Sequence, residues 1–239
     1  MTAEQEPMTP DAWRARWERG ETGWHLPEVH PALKAYKGAW RRVLVPLCGA
    51  SLDLDWLAER GVDVVGVELS DLACRRVFER SGQAPETREV EGASASYTER
   101  RAGRLRLLTG DMLAVDASLI GPVDAVWDRG CTVALAPRLR DAYLSTLSRV
   151  ARGAEVLLVT IDYDQRMMDG PPFAISDAFV RQRFDAVELL DEAAESGSLR
   201  DRLAAKAGLP QGADPPALLE RVYRARVGAP PADCTTSSA

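Results

Sequence analysis

Four places in this 239-residue sequence put a residue able to bind or to do chemistry just beyond a run of aliphatic residues. Pro46-Leu47-Cys48-Gly49 closes the run that begins at Arg42, and its glycine lets backbone N–H groups approach a ligand closely. Glu68 ends the run Val62–Val67, nineteen residues beyond Gly49. At that place and distance a carboxylate accepts hydrogen bonds from both hydroxyls of a ribose. Gly110-Asp111 follows Leu105–Thr109, and Asp128-Arg129 follows Val123–Trp127. Singly, each has an ordinary structural reading as a turn, a helix cap or a solvated carboxylate. Together, on one edge of a sheet, they point to an adenosine ligand. The Gly-x-Gly-x-x-Gly of dinucleotide binders is absent, and so is a Tyr-x-x-x-Lys of one large class of nicotinamide-dependent reductases. Among adenosine cofactors, that leaves S-adenosylmethionine as the usual occupant.

A second cluster lies near the amino terminus. Three of the six tryptophans, Trp13, Trp17 and Trp24, fall within residues 13–24, with Gly20 and Gly23 between them. Trp13 and Trp17 are four apart and share one face of a helix. One reading is a helix that docks through its indoles and covers the core. The other is an aromatic lid over residues 11–30, whose ring faces attract a sulfonium cation and whose closure excludes water from a methyl transfer. His25 beside it reads as a hydrogen-bonded structural residue.

The elements that must position these residues follow from hydropathy period and capping. Strands are expected at Arg42–Leu47, Val62–Val67, Leu105–Thr109, Val123–Trp127, Val156–Ile161, Val187–Leu190 and Arg221–Val227. Ser51 caps a helix that Gly61 ends, a second helix covers Asp71–Arg80, Pro137 opens a third, and Ser176 caps a fourth. The polar stretch Gln83–Gly103 reads as a loop or surface insertion. The expectation is an α/β fold: a doubly wound, mostly parallel seven-stranded sheet with helices on both faces and an N-terminal helical lid. Residues 11–228 form one domain, and residues 1–10 and 229–239 read as disordered tails.

Composition narrows the function classes. Apolar residues make up 46% and charged residues 28%, as in ordinary globular proteins. Thirty basic against 36 acidic side chains leave a net charge of −6, which gives no reason for a nucleic-acid or anionic-membrane partner. With four scattered cysteines and two histidines, neither a metal site nor a disulfide framework is expected. No apolar run approaches the roughly 20 residues of a membrane span. A cytoplasmic monomer acting on a small molecule is the expectation.

The motifs also carry a family resemblance. Trp13-Arg14-Ala15-Arg16-Trp17-Glu18-Arg19-Gly20 with Gly23-Trp24-His25 resembles the opening of the thiopurine S-methyltransferase family. Val43-Leu44-Val45-Pro46-Leu47-Cys48-Gly49, Val65-Gly66-Val67-Glu68-Leu69-Ser70, Trp127-Asp128-Arg129-Gly130 and Gly170-Pro171-Pro172-Phe173 are similar to its later motifs, in order, over residues 11–190. The resemblance implies a class I fold, S-adenosylmethionine as methyl donor, and a sulfur or related soft nucleophile as acceptor. It implies donor contacts from Trp13, Leu47, Gly49, Glu68, Gly110, Asp111 and Arg129. Trp17 and Trp24 would face the acceptor, and Arg129, Arg200 and Arg202 could steer an anionic one. Ala50 departs from the family's usual lysine, the 83–103 stretch varies, and residues after about 192 carry an extra Leu209–Pro216 segment. These touch the acceptor side more than the donor side.

The chemistry expected is an in-line displacement that needs proximity and not a strong base, since an aryl thiol is largely ionised near neutral pH. No Ser-His-Asp set is present. Asp128 is expected to orient Arg129, and Cys131 to be a bystander thiol. Two alternatives remain open: a non-catalytic donor-binding sensor, and a biosynthetic oxygen or nitrogen methyltransferase.

Overall fold

The computed structural model describes residues 8–194, 200–201 and 218–228. In chain order the elements are α1 (Pro10–Glu18), α2 (Pro31–Tyr36), β1 (Arg42–Pro46), α3 (Leu52–Glu59), β2 (Asp63–Glu68), α4 (Asp71–Ser81), β3 (Glu86–Glu91), β4 (Ser96–Ala102), β5 (Leu105–Thr109), α5 (Ala117–Ile120), β6 (Ala125–Arg129), α6 (Pro137–Val150), β7 (Glu155–Asp162), α7 (Asp177–Arg183), β8 (Asp185–Ala194) and β9 (Leu219–Arg226). Helix starts obey the capping rules: the hydroxyls of Ser51, Ser70 and Ser176 accept N–H bonds from Asp53, Ala73 and Phe179. Thr9 caps α1 and Pro10 opens it.

The strands form one sheet in the order β3-β4-β5-β2-β1-β6-β7-β9-β8. Five central strands, β5-β2-β1-β6-β7, are parallel; β9 and β8 add antiparallel pairs at one edge. The alternating side chains of β1 show why both faces are covered. Leu44 joins the core under α6 and α7, while Val43 and Val45 join the core under α1 to α4. Burying one such side chain fully stabilises the fold by about 1.5–3 kcal/mol.

Among the described residues the sheet has nine strands and not seven. The stretch Gln83–Gly103, expected as a loop, forms the hairpin β3–β4, which pairs antiparallel with β5. Its sequence is too charged to show apolar alternation, and other forces hold it. Glu99, 2% exposed, takes Arg88 on one oxygen and Arg106 on the other, and Tyr97 plugs into the core.

The chain runs from β1 outward through β2 to β5, then returns to the other side of β1 for β6 and β7. The switch in strand order therefore lies between β1 and β6, and a crevice for a ligand belongs beyond their carboxyl ends.

Candidate active site

The turn after β1 is built from two left-handed residues, Leu47 at φ +43° and Gly49 at φ +54°. Leucine pays for that conformation with strain of order 1–3 kcal/mol, the kind stored at functional turns. The turn is fixed from β2. Glu68 Oε2 accepts the Gly49 N–H at 2.9 Å and Oε1 accepts the Ser70 N–H at 2.8 Å, while Cys48 N–H donates to the Val67 carbonyl at 3.2 Å. Burial pushes the Glu68 carboxyl up, and the N–H bonds from Ser70, Gly49 and Leu69 pull it back. With about four lone-pair sites in all, the carboxylate keeps acceptor capacity beyond these three bonds.

The aromatic segment closes onto this turn. A side chain on Gly49 would come within 2.5 Å of His25 Nε2 and 3.2 Å of the Trp17 ring. Trp24 meets Trp13 edge-on at 5.4 Å and Trp17 at 6.0 Å, and the Arg16 guanidinium lies 4.6 Å above the Trp24 ring. From the other side, Arg129 Nη1 donates to the Trp24 carbonyl at 2.8 Å. The fold thus joins Trp24 and Arg129 directly. Trp17 is 3% exposed and packs with the core, so it anchors the segment and keeps little surface for an acceptor. Trp13 and Trp24 are half-buried. Burial, then the charges of Arg129, Arg80 and Arg76, hold the His25 pKa down to about 4.

The remaining strand ends are ordered by groups the sequence did not single out. Gly110 donates its N–H to the Glu68 carbonyl at 2.9 Å, and it must be glycine because a Cβ there would sit 2.2 Å from the Tyr97 ring. Tyr97 also donates its hydroxyl to the Asp111 carbonyl at 2.8 Å. Asp111 itself is exposed, one oxygen accepting the Leu113 N–H. The one sequence signal for Tyr97 is a large aromatic in an otherwise charged stretch.

Asp128 is fully buried, and its hydrogen bonds go to Thr132 N–H, Thr132 Oγ1 and the Tyr143 hydroxyl at 3.1, 2.7 and 2.9 Å. Through these three bonds it anchors the turn that follows Arg129. The Cys131 thiol donates to the Pro46 carbonyl at 2.8 Å across the switch point, and burial pushes its pKa well up. Asp53, also missed, accepts from His30 N–H and Trp127 Nε1, both at 2.9 Å, tying the end of the aromatic segment to β6. Arg200 is half-buried and Arg202 lies outside the described residues.

The family model for thiopurine S-methyltransferase matches residues 8–221. The chain belongs to the thiopurine S-methyltransferase family. It is 38% identical to a thiopurine S-methyltransferase of Gluconobacter oxydans over 81% of this chain and 90% of that protein. It is 39% identical to one of Pseudomonas fluorescens over 91% of this chain and 96% of that one. In fold it is similar to the crystal structure of a Burkholderia thailandensis 1,6-didemethyltoxoflavin-N1-methyltransferase with bound S-adenosylhomocysteine. That match has a TM-score of 0.56 and 16% identity, covering 91% of this chain and 87% of the other. This member of the family is an S-adenosylmethionine-dependent small-molecule methyltransferase. The residues at the switch point fit that donor: a carboxylate with acceptor capacity left, a turn through the left-handed Leu47 and Gly49, and an indole cluster stand together there.

Proposed function

We propose that this methyltransferase moves the methyl group of S-adenosylmethionine to the thiolate sulfur of a small aromatic thiol. The observation that carries the reading is the state of the titratable groups gathered at the strand ends. His25 is held neutral with a pKa of about 4, Asp128 spends both oxygens on Thr132 and Tyr143, and the Cys131 thiol is pushed up. His25 is too weak a base to take a proton near neutral pH, and Asp128 and Cys131 are engaged inside the core. An acceptor that arrives already ionised needs no such group, and an aryl thiol does so.

When bound, S-adenosylmethionine supplies an electrophilic methyl carbon on a sulfonium. With the donor bound, the acceptor sulfur would form the new C–S bond with a lone pair as the sulfonium C–S bond breaks, giving a neutral thioether and releasing S-adenosylhomocysteine. Glu68 would take a ribose hydroxyl through its remaining acceptor capacity. Leu47, Gly49, Gly110 and Asp111 shape the rest of the donor bed, and Trp13 covers it. Arg129 holds Trp24 over the crevice and lends positive charge to an anionic acceptor, with Trp24 as its aromatic wall. Arg200 and Arg202 serve the same charge from the carboxyl-terminal third. The contribution of the chain is alignment, with the reacting atoms held roughly 3–3.5 Å apart.

The protein works as a monomer in a reducing compartment such as the cytoplasm. The three described cysteines, Cys48, Cys74 and Cys131, are free and buried, as suits that setting. Methyl transfer from labelled S-adenosylmethionine to a panel of thiopurine, thiophenol, selenite, iodide and catechol tests the proposal. Label in the thiols supports it. Label in catechol alone would overturn the acceptor class, and silence across the panel with S-adenosylhomocysteine still bound would favour a donor-binding sensor.

A further inference from the structure

Arg140 is a buried cation for which no carboxylate partner exists among the described residues. It is 7% exposed in the first turn of α6. Its Nε donates to the Leu135 carbonyl at 3.0 Å and its Nη2 reaches the Ala174 carbonyl at 3.5 Å. The guanidinium lies 5.8 Å from the Phe173 ring and 5.6 Å from the Phe179 ring. Burial lowers its pKa to about 10, against a smaller opposing effect from Tyr163. A guanidinium taken out of water without a counter-charge is costly, and carbonyl dipoles and ring faces are its compensation here.

The groups it touches belong to two separate segments. Leu135 ends the turn that follows Arg129 and β6, and Ala174 sits in the loop after β7. The same segments are sewn together by Phe173 N–H to the Val133 carbonyl at 2.6 Å. Ile175 N–H then joins the loop to β7 through the Ile161 carbonyl at 2.8 Å. Tyr163 adds a hydroxyl bond to the Pro172 carbonyl at 2.6 Å. Both segments leave the carboxyl ends of β6 and β7, on the side of the switch point away from Glu68. A forked, planar cation suits two divergent carbonyls between two rings, and a lysine would not reproduce that fit.

We infer that Arg140 is a positioning residue for the methyl acceptor: it fixes the 163–176 loop, through Ala174 and Phe173, against the turn after Arg129, and so shapes the acceptor side of the crevice. This rests on the proposed function, because that reading puts the acceptor beside Arg129 and Trp24. The donor side, at Gly49 and Glu68, does not depend on Arg140.

The test compares the full-length protein with Arg140→Met and Arg140→Lys. Calorimetry gives the S-adenosylhomocysteine affinity, steady-state kinetics the acceptor KM, and hydrogen exchange the amides of Phe173 and Ile175. In Arg140→Met the acceptor KM should rise about tenfold while donor affinity stays within about twofold, the signature of a lost acceptor contact surface. The Phe173 and Ile175 amides should exchange faster, with those of Gly49 and Ser70 unchanged, and Arg140→Lys should recover part of both effects. Donor affinity and acceptor KM weakening together would overturn the inference, as would faster loop exchange with an unchanged KM. If Arg140→Met does not fold, Arg140→Lys is read against the same outcomes. A wild-type protein that methylates no thiol defeats the proposed function by itself. The exchange and donor-affinity arms still read Arg140 in that case, and a loop that stays as protected as in the wild type would overturn its role.

Discussion

At the scale of single residues, Glu68 and Asp128 show how similar carboxylates at strand ends acquire different work. Glu68 takes backbone N–H groups of the crevice turn, whereas Asp128 is held by Thr132 and the Tyr143 hydroxyl inside the core. Glu68→Ala should weaken S-adenosylhomocysteine binding by about 1–3 kcal/mol, the scale of a buried charge-assisted hydrogen bond; unchanged affinity by calorimetry would remove Glu68 from the donor bed. Asp128→Asn puts an amide N–H₂ among those donors and should lower unfolding free energy by about 2–4 kcal/mol in a urea titration. His25 carries a pH dependence. Its folded pKa of about 4 lies below the 6.5 of an unperturbed imidazole, so between those values the unfolded chain binds more protons. Its contribution to stability is therefore full above pH 6.5 and lost as pH falls toward 4. Replacing His25 by Gln should flatten the loss of stability between pH 6.5 and 4 relative to the wild type, read from urea midpoints. The position of these residues was legible because strand ends can be read from β-branched runs. Their partners were not: the contact of His25 with Gly49 and the bond from Arg129 to the Trp24 carbonyl exist only once the sheet is wound.

At the scale of elements, the aromatic segment divides into an anchor and a wall. Spacing alone placed Trp13 and Trp17 on one helix face, yet gave no sign that Trp17 would be 3% exposed while Trp13 and Trp24 stay half-buried. Trp17→Ala should cost about 3–5 kcal/mol of stability, as large-to-small changes in a core do. Trp24→Ala should cost much less stability and act on acceptor KM; equal losses in the two variants would contradict the division. The hairpin β3–β4 illustrates the opposite limit of sequence reading. Its stability rests on Glu99 between two arginines and on one tyrosine, so no apolar period announces it. Glu99→Gln leaves Arg88 and Arg106 facing each other without their counter-charge and should destabilise the protein by roughly 2–4 kcal/mol. Because Tyr97 of this hairpin supports Gly110 and Asp111, donor affinity should fall in the same variant.

At the scale of the whole molecule, the doubly wound sheet brings residues from positions 13 to 129 to one crevice, at the switch between β1 and β6. Seven of the nine strands were legible because the central ones carry side chains into two cores, which demands long aliphatic runs. What the described residues of the crevice offer is alignment and positive charge, with His25 held neutral and Asp128 engaged by Thr132 and Tyr143. That is the central claim, and the pH dependence of kcat/KM across aryl thiols of graded acidity tests it most directly. The account predicts that the midpoint of each profile follows the ionisation of the thiol used. A midpoint that stays fixed while the acceptor changes would reveal a proton-accepting group of the protein and contradict it.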